Sequence, residues 1–183
     1  MRSATPIVLA ALLAAATGAD AAASRCERAC LEQIADQYRA AWRLHDPKLA
    51  PFASRVRFVE NNVEMPFPDG SWDTVTLEVG VPMVLSDPVT GQVGIYTSVL
   101  QNDTQTFVAI RLLVVDSRIT EVEQVLSTRR NLSSPPTPIG DVWRYLRDPD
   151  FHRDVSAGQG ASRAQLVAHA NGYFNTLQFN NGE

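Results

Sequence analysis

Apolar residues recur at helical spacing near the start of the chain. The members of this pattern are Leu31, Ile34, Ala35, Tyr38, Ala41 and Trp42. Spacings of three and four residues place side chains on one face of an α-helix. Ser24 and Glu27 have the S-x-x-E form of a capping box, and Asp46-Pro47 disfavours any continuation of the helix. We therefore predict an amphipathic helix from about Arg25 to Leu44, followed by a short helical turn within 47–54.

The apolar period then shortens to two, which is typical of β-strands. Residues 55–61 read RVRFVEN and predict a first strand, and the Pro- and Gly-rich residues 65–71 predict a loop. Further strands are predicted at about Thr74–Leu77, Gln92–Gln101, Gln105–Val115 and Ile119–Ser127. Asn102-Asp103 and residues 116–118 supply turn chemistry between the last three strands, which indicates an antiparallel meander.

The C-terminal part returns to helical patterning after a linker. Residues 131–140 read NLSSPPTPIG, and residues 141–147 predict a short helix. Ser162 opens an S-x-x-Q capping box, and the apolar positions after it (Leu166, Ala170, Tyr173 and Leu177) predict another amphipathic helix. This segment loosely echoes the one that begins at Ser24. The apolar face of a helix normally packs against another element. We therefore expect residues 141–183 to form a helical extension, and we interpret it as the start of a truncated second unit.

The first 23 residues have the layout of a secretory signal peptide. Arg2 precedes an apolar run that is too short to span a bilayer, and small residues follow before Ser24. The alternative is an Ala-rich helix of the fold itself. The signal interpretation predicts a secreted or periplasmic protein, and no later segment is apolar for long enough to cross a membrane.

Composition and charge narrow the class of protein. Cleavage after residue 23 would leave about 160 residues, enough for one domain with a sizeable core. The formal net charge is −4, and the basic residues are scattered, which disfavours nucleic-acid binding. Cys26 and Cys30 would share one helix face, where side-chain directions suit a disulfide poorly. A metal site there has no histidine at suitable spacing, and the chain offers no third cysteine for pairing.

Three segments resemble the SnoaL-like, or nuclear transport factor 2-like, superfamily: SRVRFVENN, GQVGIYTSVL and TFVAIRLLVVDSRITEVEQVLSTR. The resemblance covers residues 24–130 and implies an α+β fold, in which a cone-like curved antiparallel β-sheet wraps around the N-terminal amphipathic helix. More narrowly, ENN, RLLVVDSRITEVE and YFNTLQFNNG resemble a poorly characterised secreted group found in fungi and bacteria. Members of that group usually continue past the second helix.

The resemblance implies two classes of function. One is an exported enzyme without cofactor or metal, such as an isomerase, dehydratase or other lyase, that acts by proton transfer on a small apolar molecule in the cone pocket. The alternative is a non-catalytic module of the same fold that binds a small ligand or forms a homodimer through the sheet. No motif in the chain selects between these classes.

Arg111 is the main candidate for chemistry. It interrupts the otherwise apolar strand FVAIRLLVVD, so it needs either a carboxylate partner or a polar cavity. If Asn102-Asp103 forms a two-residue turn, Gly94 lies opposite Arg111 and Tyr96 lies on the same face. We predict that Arg111 lines the pocket, where it would stabilise negative charge while Tyr96 orients the substrate. The alternative is a structural ion pair.

Two glutamates complete the predicted catalytic set. Glu60 ends its strand on the face of Phe58, where it could exchange a proton with the substrate. Alternatively, Glu60 forms a salt bridge with Arg57 or Arg111, or ends the strand in solvent. Glu123 would lie opposite Arg111 if the preceding loop had three residues, whereas a two-residue loop would place Gln124 there. The resemblance allows a Glu60–Arg111–Glu123 cluster.

The predicted substrate pocket consists of Trp72, Phe67, Phe58 and Ala109. Trp72 and Phe67 belong to the loop MPFPDGSWD, which could form an aromatic wall over the mouth of the cone or plug its core. A polar cavity with Arg111 and a carboxylate would favour the enzyme. A cavity filled by Trp72 and Phe67 would favour the non-catalytic module.

Overall fold

The computed structural model describes residues 26–128, 142–145 and 153–179. The predicted signal peptide and the linker 131–140 lie outside these residues. The helices are α1 (Arg28–Arg43), α2 (Val142–Tyr145) and α3 (Arg163–Phe179), with 3₁₀ turns at Pro47–Leu49 and Gly70–Asp73. The strands are β1 (Phe52–Glu60), β2 (Val63–Met65), β3 (Val75–Asp87), β4 (Gln92–Gln101), β5 (Thr104–Val115) and β6 (Arg118–Thr128). This order of helix, strands and helix confirms the predicted α+β class.

The strands form one six-stranded sheet in the order β2-β1-β6-β5-β4-β3. β3, β4, β5 and β6 form the predicted antiparallel meander. The sheet is antiparallel except at one pairing, where β1 lies parallel to β6. A parallel neighbour requires a long connection rather than a hairpin, and β2, β3, β4 and β5 lie between β1 and β6 along the chain.

α1 packs against one face of this sheet, which we call the interior face. The six residues predicted to form the apolar side of α1 are all buried: Leu31, Ile34, Ala35, Tyr38, Ala41 and Trp42. Their cluster includes alternate residues of β4 and β5, among them Val93, Ile95, Val108, Ile110 and Leu112. The core therefore lies between α1 and the interior face, and the opposite side of the sheet is its outer face.

The turns decide which residues face each other across the meander. Asn102 and Asp103 both have positive φ, as a type I′ turn requires, and Gly94 pairs with Arg111 as predicted. The next turn also has two residues, because Val115 pairs with Arg118. Between Leu113 and Val114 the register then shifts, so that β6 contains one extra residue that has no partner on β5. Because of this shift, Arg111 pairs with Glu123. The pairing of Arg111 with Glu123, which we expected only from a three-residue loop before β6, thus results from a two-residue turn and a β-bulge.

Cys26 and Cys30 form a disulfide, with their Cα atoms 5.2 Å apart. The expectation that this pair suits a disulfide poorly is wrong. It placed both cysteines on the helix, whereas α1 begins at Arg28 and Cys26 precedes it in extended chain. The Cα separation lies in the usual range for disulfides, and the bridge ties the residues before α1 to its first turn.

The C-terminal helices differ in how they meet the sheet. Val142 of α2 is buried, and its carbonyl accepts a hydrogen bond from Ser98 Oγ on the outer face. The predicted capping box of α3 is formed, since Ser162 N donates to Gln165 Oε1 and Gln165 N donates to Ser162 Oγ. Every residue of α3 is exposed. In the parts of the chain that the structure describes, no helix is long and apolar enough to cross a membrane.

Candidate functional site

Arg111 lies on the outer face of the sheet, away from α1. Its Nε donates to Glu123 Oε2 at 2.6 Å, and its second terminal nitrogen donates to Glu121 Oε2 at 2.8 Å. The neighbouring positions of β5, Ile110 and Leu112, are the ones that enter the core. Arg111 therefore lies on the face opposite the core instead of lining the interior, and it forms the ion pair that was the alternative to a place in the pocket.

Tyr96 and Ala109 accompany Arg111 on the outer face. Tyr96 pairs with Ala109 across β4 and β5, and Ala109 pairs with Val125 of β6. Tyr96 and Val125 are each at least half exposed. Tyr96 thus shares a face with Arg111 as predicted, but this face is not the one that encloses the core, so neither Tyr96 nor Ala109 reaches the cone interior.

Glu60 lies on the interior face, opposite Gln124 of β6. Its Oε2 accepts a hydrogen bond from Ser71 N at 2.9 Å. Gly70 has φ +63°, and a Cβ there would lie 2.9 Å from each carboxylate oxygen of Glu60. The bare backbone of Gly70 therefore lets the 3₁₀ turn close directly over this carboxylate.

The Glu60–Arg111–Glu123 cluster does not form, because Glu60 and Arg111 lie on opposite faces of the sheet. Arg57, the other predicted partner of Glu60, instead contacts Glu64 at 3.3 Å and Glu123 at 3.8 Å. The structure thus brings together only Arg111 and Glu123 from the predicted catalytic set.

A chain of buried polar groups links α1 to the sheet beside Glu60. Gln124 is almost fully buried; its Nε2 donates to Tyr38 Oη at 2.7 Å, and its Oε1 accepts from Ser71 Oγ. Burial raises the pKa of the Tyr38 phenol far above its usual range; the neighbouring Trp72 and Gln124 oppose the rise, and the charge of Glu60 adds to it. Tyr38 is therefore a neutral hydroxyl at physiological pH.

Aromatic rings fill the space between this polar chain and β1. The ring centroid of Phe67 lies within 4.6 to 5.8 Å of those of Phe52, Trp72 and Phe58, in tilted or edge-to-face contacts, and the Trp72 ring lies 5.6 Å from that of Tyr38. Three of the four predicted pocket residues, Trp72, Phe67 and Phe58, thus meet in the interior. Trp72 and Phe67 plug it rather than forming a wall over an open mouth.

Two indole N–H groups in this interior are not satisfied. Trp42 Nε1 and Trp72 Nε1 are buried, and neither has a hydrogen-bond partner of acceptable geometry among the described residues. A buried donor without an acceptor costs about 1–3 kcal/mol. Both rings flank Tyr38, with centroids 6.5 and 5.6 Å from its ring. The interior therefore contains two indole N–H groups without a hydrogen bond of acceptable geometry, although an interaction of Trp72 with the Tyr38 hydroxyl lowers the pKa of that phenol.

The sequence analysis missed a second interior carboxylate, Glu78 of β3. Its side chain is only 3% exposed, and its two oxygens accept from Arg39 Nε and a terminal nitrogen of Arg39, both at 2.8 Å. Thr97 Oγ1 donates to it as well. Arg39 and Arg43 lie four residues apart on α1, so their side chains share one flank of the helix. This pair of arginines was the feature of the sequence that could have predicted an acidic residue packed against that flank.

Two open grooves lie outside the interior. A groove of about 360 Å³ lies against β1, β2 and β6, and its charged lining residues are Arg55, Arg57, Glu64 and Glu121. Another, of about 460 Å³, lies between β3 and residues 153–155. Neither contains a residue of the predicted site. Among the described residues, no three His, Cys, Asp or Glu side chains are grouped so as to hold a metal ion.

Comparison with known proteins gives likenesses of fold. No protein-family model matches the chain, and no curated protein matches it. One similar solved structure is a candidate ketosteroid isomerase from Kribbella flavida, with TM-score 0.45, 14% identity, and coverage of 73% of this chain and 95% of that one. Another is AclR, a candidate hydroxylase from Streptomyces galilaeus, with TM-score 0.44, 13% identity and coverage of 81% and 99%.

Proposed function

We propose that this protein is an exported, cofactor-independent enzyme that transfers a proton within a small, largely apolar molecule bound in the cone interior. Isomerisation, dehydration and other lyase steps belong to this class. The observation that carries the proposal is the arrangement beside Tyr38. There a carboxylate, a neutral phenol and two indole N–H groups that lack a hydrogen bond of acceptable geometry lie next to an aromatic cluster.

Glu60 has the properties of the proton carrier. Its carboxylate is half-buried, Ser71 N holds one of its oxygens, and the other has no hydrogen bond from a described residue. Hydrogen bonds connect it to Tyr38 through two residues, since Ser71 also donates to Gln124, and Gln124 donates to Tyr38. A positioned carboxylate next to an apolar binding surface is a suitable general base.

Tyr38 has the properties of the group that stabilises developing negative charge. Its oxygen accepts from Gln124 Nε2, so its own proton remains available to donate to a substrate oxygen. Trp42 and Trp72, whose ring centroids lie 6.5 and 5.6 Å from that of Tyr38, would supply further N–H donors. Donors held in place within a buried site stabilise an oxyanion without reorganisation.

A β,γ-unsaturated ketone illustrates the reaction. Glu60 would take the proton from the carbon between the carbonyl group and the double bond, and the enolate oxygen would accept a hydrogen bond from Tyr38. Glu60 would then return the proton to the γ-carbon, which completes the shift of the double bond. No oxidant, reductant or other reactant enters this balance.

Binding requires a movement of the aromatic plug. Phe67 is half-buried and lies in the loop between β2 and the 3₁₀ turn. Its outward rotation would open the interior next to Glu60 and Trp72. The proposal uses Glu60 from the predicted catalytic set and leaves Arg111, Tyr96 and Glu123 on the outer face.

A non-catalytic module is the second candidate. Trp72 and Phe67 fill the interior, which is the arrangement that favours this alternative. Tyr96 and Val125 are exposed on the outer face, where a second copy of the chain could pack through the sheet. Binding without turnover distinguishes this candidate from the enzyme.

The test uses Glu60→Gln with Arg111→Met as the matched control on the outer face. The probe is cyclohex-3-enone, whose conversion to the conjugated enone is followed by ultraviolet absorbance. We expect turnover above the buffer rate, a loss of about 10²–10⁴-fold in Glu60→Gln, and no change in Arg111→Met. Equal rates for wild type and Glu60→Gln would remove Glu60 from the mechanism. Quenching of tryptophan fluorescence by the probe, without turnover, would favour the binding module.

Export is proposed from residues 1–23 alone. Expression of the whole chain in a secreting host should give a processed protein that begins at or near Ser24, and N-terminal sequencing measures this. A product that retains Met1 and stays in the cell would exclude export.

A further inference from the structure

The N-cap residue of α1 does not cap the helix with its side chain. This residue is Glu27, whose backbone is extended and whose carboxylate makes no capping hydrogen bond. The first turn contains no acidic residue, and Arg28 places a positive charge at the positive end of the helix dipole. Helices usually begin at Ser, Thr, Asp or Asn, whose short side chains accept from the first N–H groups. The start of α1 therefore has less than the usual support.

The Cys26–Cys30 disulfide lies at this point. It joins the extended residue before the N-cap to the first turn of the helix. Both cysteines are partly buried and pack against the core cluster. The bridge thus holds the chain on both sides of Glu27, which is what a capping side chain does in other helices.

The bridge is within reach of a reductant. Cys26 and Cys30 are partly exposed, and the three residues between them are fully exposed. Cleavage of a disulfide by a thiol releases a thiolate. A guanidinium group and a helix N-terminus both stabilise a thiolate beside them, and Arg28 supplies the first of these at the bridge.

Arg28 connects this turn to the groove beside β3. Its Nε donates to Glu32 Oε1 at 2.7 Å, and its side chain lines the groove of about 460 Å³ together with residues 82–85 and 153–155. Farther along α1, Arg39 binds Glu78 at 2.8 Å and fixes the second half of the helix to the sheet. Loosening of the first turn would therefore move Arg28 away from the groove and leave the rest of α1 in place.

We propose that the Cys26–Cys30 bridge is a redox-sensitive clasp that takes the place of an N-cap side chain and holds Arg28 at the groove. The reductant is a dithiol. The S–S bond breaks, the two cysteines take up two electrons and two protons, and the dithiol is oxidised to its own disulfide. In the reduced protein the first turn of α1 unwinds, while the sheet stays folded.

Amide hydrogen exchange in the full chain, measured by nuclear magnetic resonance before and after reduction by dithiothreitol, tests the clasp. Leu31 N donates to Glu27 O at 3.0 Å, and the next two amides depend on the first turn in the same way. Reduction should accelerate exchange of residues 31–33 by at least about tenfold and that of β4, β5 and β6 by less than about twofold. The Arg28 Nε–H resonance should shift as well.

A capping variant separates this role from a general effect on stability. Cys26→Ser/Cys30→Ser should reproduce the reduced state and should not respond to dithiothreitol. In that background Glu27→Asp, which keeps the charge and supplies a capping side chain, should slow exchange of residues 31–33 by about fivefold. In the oxidised wild type the same change should slow it by less than about twofold, because the bridge already holds the turn.

Four results would overturn the proposal. One is a bridge that dithiothreitol leaves intact in the folded protein, and another is unchanged exchange of residues 31–33, or an unchanged Arg28 resonance, after reduction. A third is equal acceleration throughout β4, β5 and β6, since the bridge would then act on the stability of the whole fold. The fourth is an equal effect of Glu27→Asp with and without the bridge, which would show that the bridge does not replace a cap.

Discussion

Arg39 and Arg111 make similar contacts on opposite faces of the same sheet. Each donates two hydrogen bonds of 2.6 to 2.8 Å to carboxylate oxygens. Arg39 is 17% exposed and its partner Glu78 only 3%, whereas Arg111 is 32% exposed and Glu123 41%. Apolar neighbours in the sequence therefore do not show which arginine is buried, because Arg111 lies within an apolar strand and is still the more exposed of the two.

The two pairs also connect different parts of the molecule. Arg39 and Glu78 join α1 to β3, which is an edge strand of the sheet. Arg111 and Glu123 join β5 to β6, which backbone pairing already holds together. The interior pair therefore fixes the position of the helix over the sheet, whereas the outer pair adds to a contact that exists without it.

The largest effect is expected from Arg39→Met. This change removes both hydrogen bonds from Arg39 to the buried Glu78 carboxylate and leaves Arg43, at 3.7 Å, as its remaining cation. We expect a loss of about 3–5 kcal/mol of unfolding free energy. The matched change Arg111→Met should cost about 0–1 kcal/mol. Urea unfolding followed by circular dichroism measures both. Equal losses would show that the two faces do not differ as described, and Arg39→Met/Glu78→Leu should recover part of the loss.

An intermediate effect is expected from Gly70→Ala, which extends the comparison to the second interior carboxylate. The new Cβ would meet the Glu60 oxygens at 2.9 Å, at a residue whose φ is +63°. We expect a loss of about 1–3 kcal/mol. Gly172→Ala in α3 is the control, because its Cβ meets nothing within 4 Å. A loss no larger than that of the control would contradict the close packing of Gly70 on Glu60.

The smallest effect is the acid dependence of the outer pair. The hydrogen bond from Arg111 lowers the pKa of Glu123, so the pair stabilises the fold above the unfolded glutamate pKa of about 4.3. That contribution is lost as the pH falls through the lowered value in the folded state. The difference in unfolding free energy between wild type and Arg111→Met should thus be constant from pH 7 to 5 and shrink below about pH 4. A difference that changes between pH 7 and 5 would contradict this assignment.

Local patterns predicted much of the fold. Helical spacing identified the buried side of α1, and turn residues at Asn102-Asp103 predicted the register that pairs Gly94 with Arg111. These features depend on neighbours a few residues apart, whose preferences are present in the sequence itself. The sequence also predicted part of the site correctly, since Glu60 and Phe58 share the interior face.

The rest of the site depends on contacts between distant residues. Both sides of β5 are apolar, so the sequence does not tell which side α1 covers, and the pocket assignment of Arg111 failed for this reason. Glu78 was missed because its significance comes from Arg39, on a different element. The role of Trp72 likewise depends on its meeting Phe67 and Tyr38.

The sequence by itself determined α1, the three strands β4, β5 and β6 and the turn at Asn102-Asp103, because short-range periodicity and backbone preferences act within a few residues. The tertiary structure decided which face of the sheet is buried, the bulge that sets Glu123 opposite Arg111, and the disulfide between Cys26 and Cys30. Each of these depends on where α1 begins or how the strands pack. These features depend on the free energy of the packed core, to which residues far apart in the sequence contribute, and not on the preferences of any one segment.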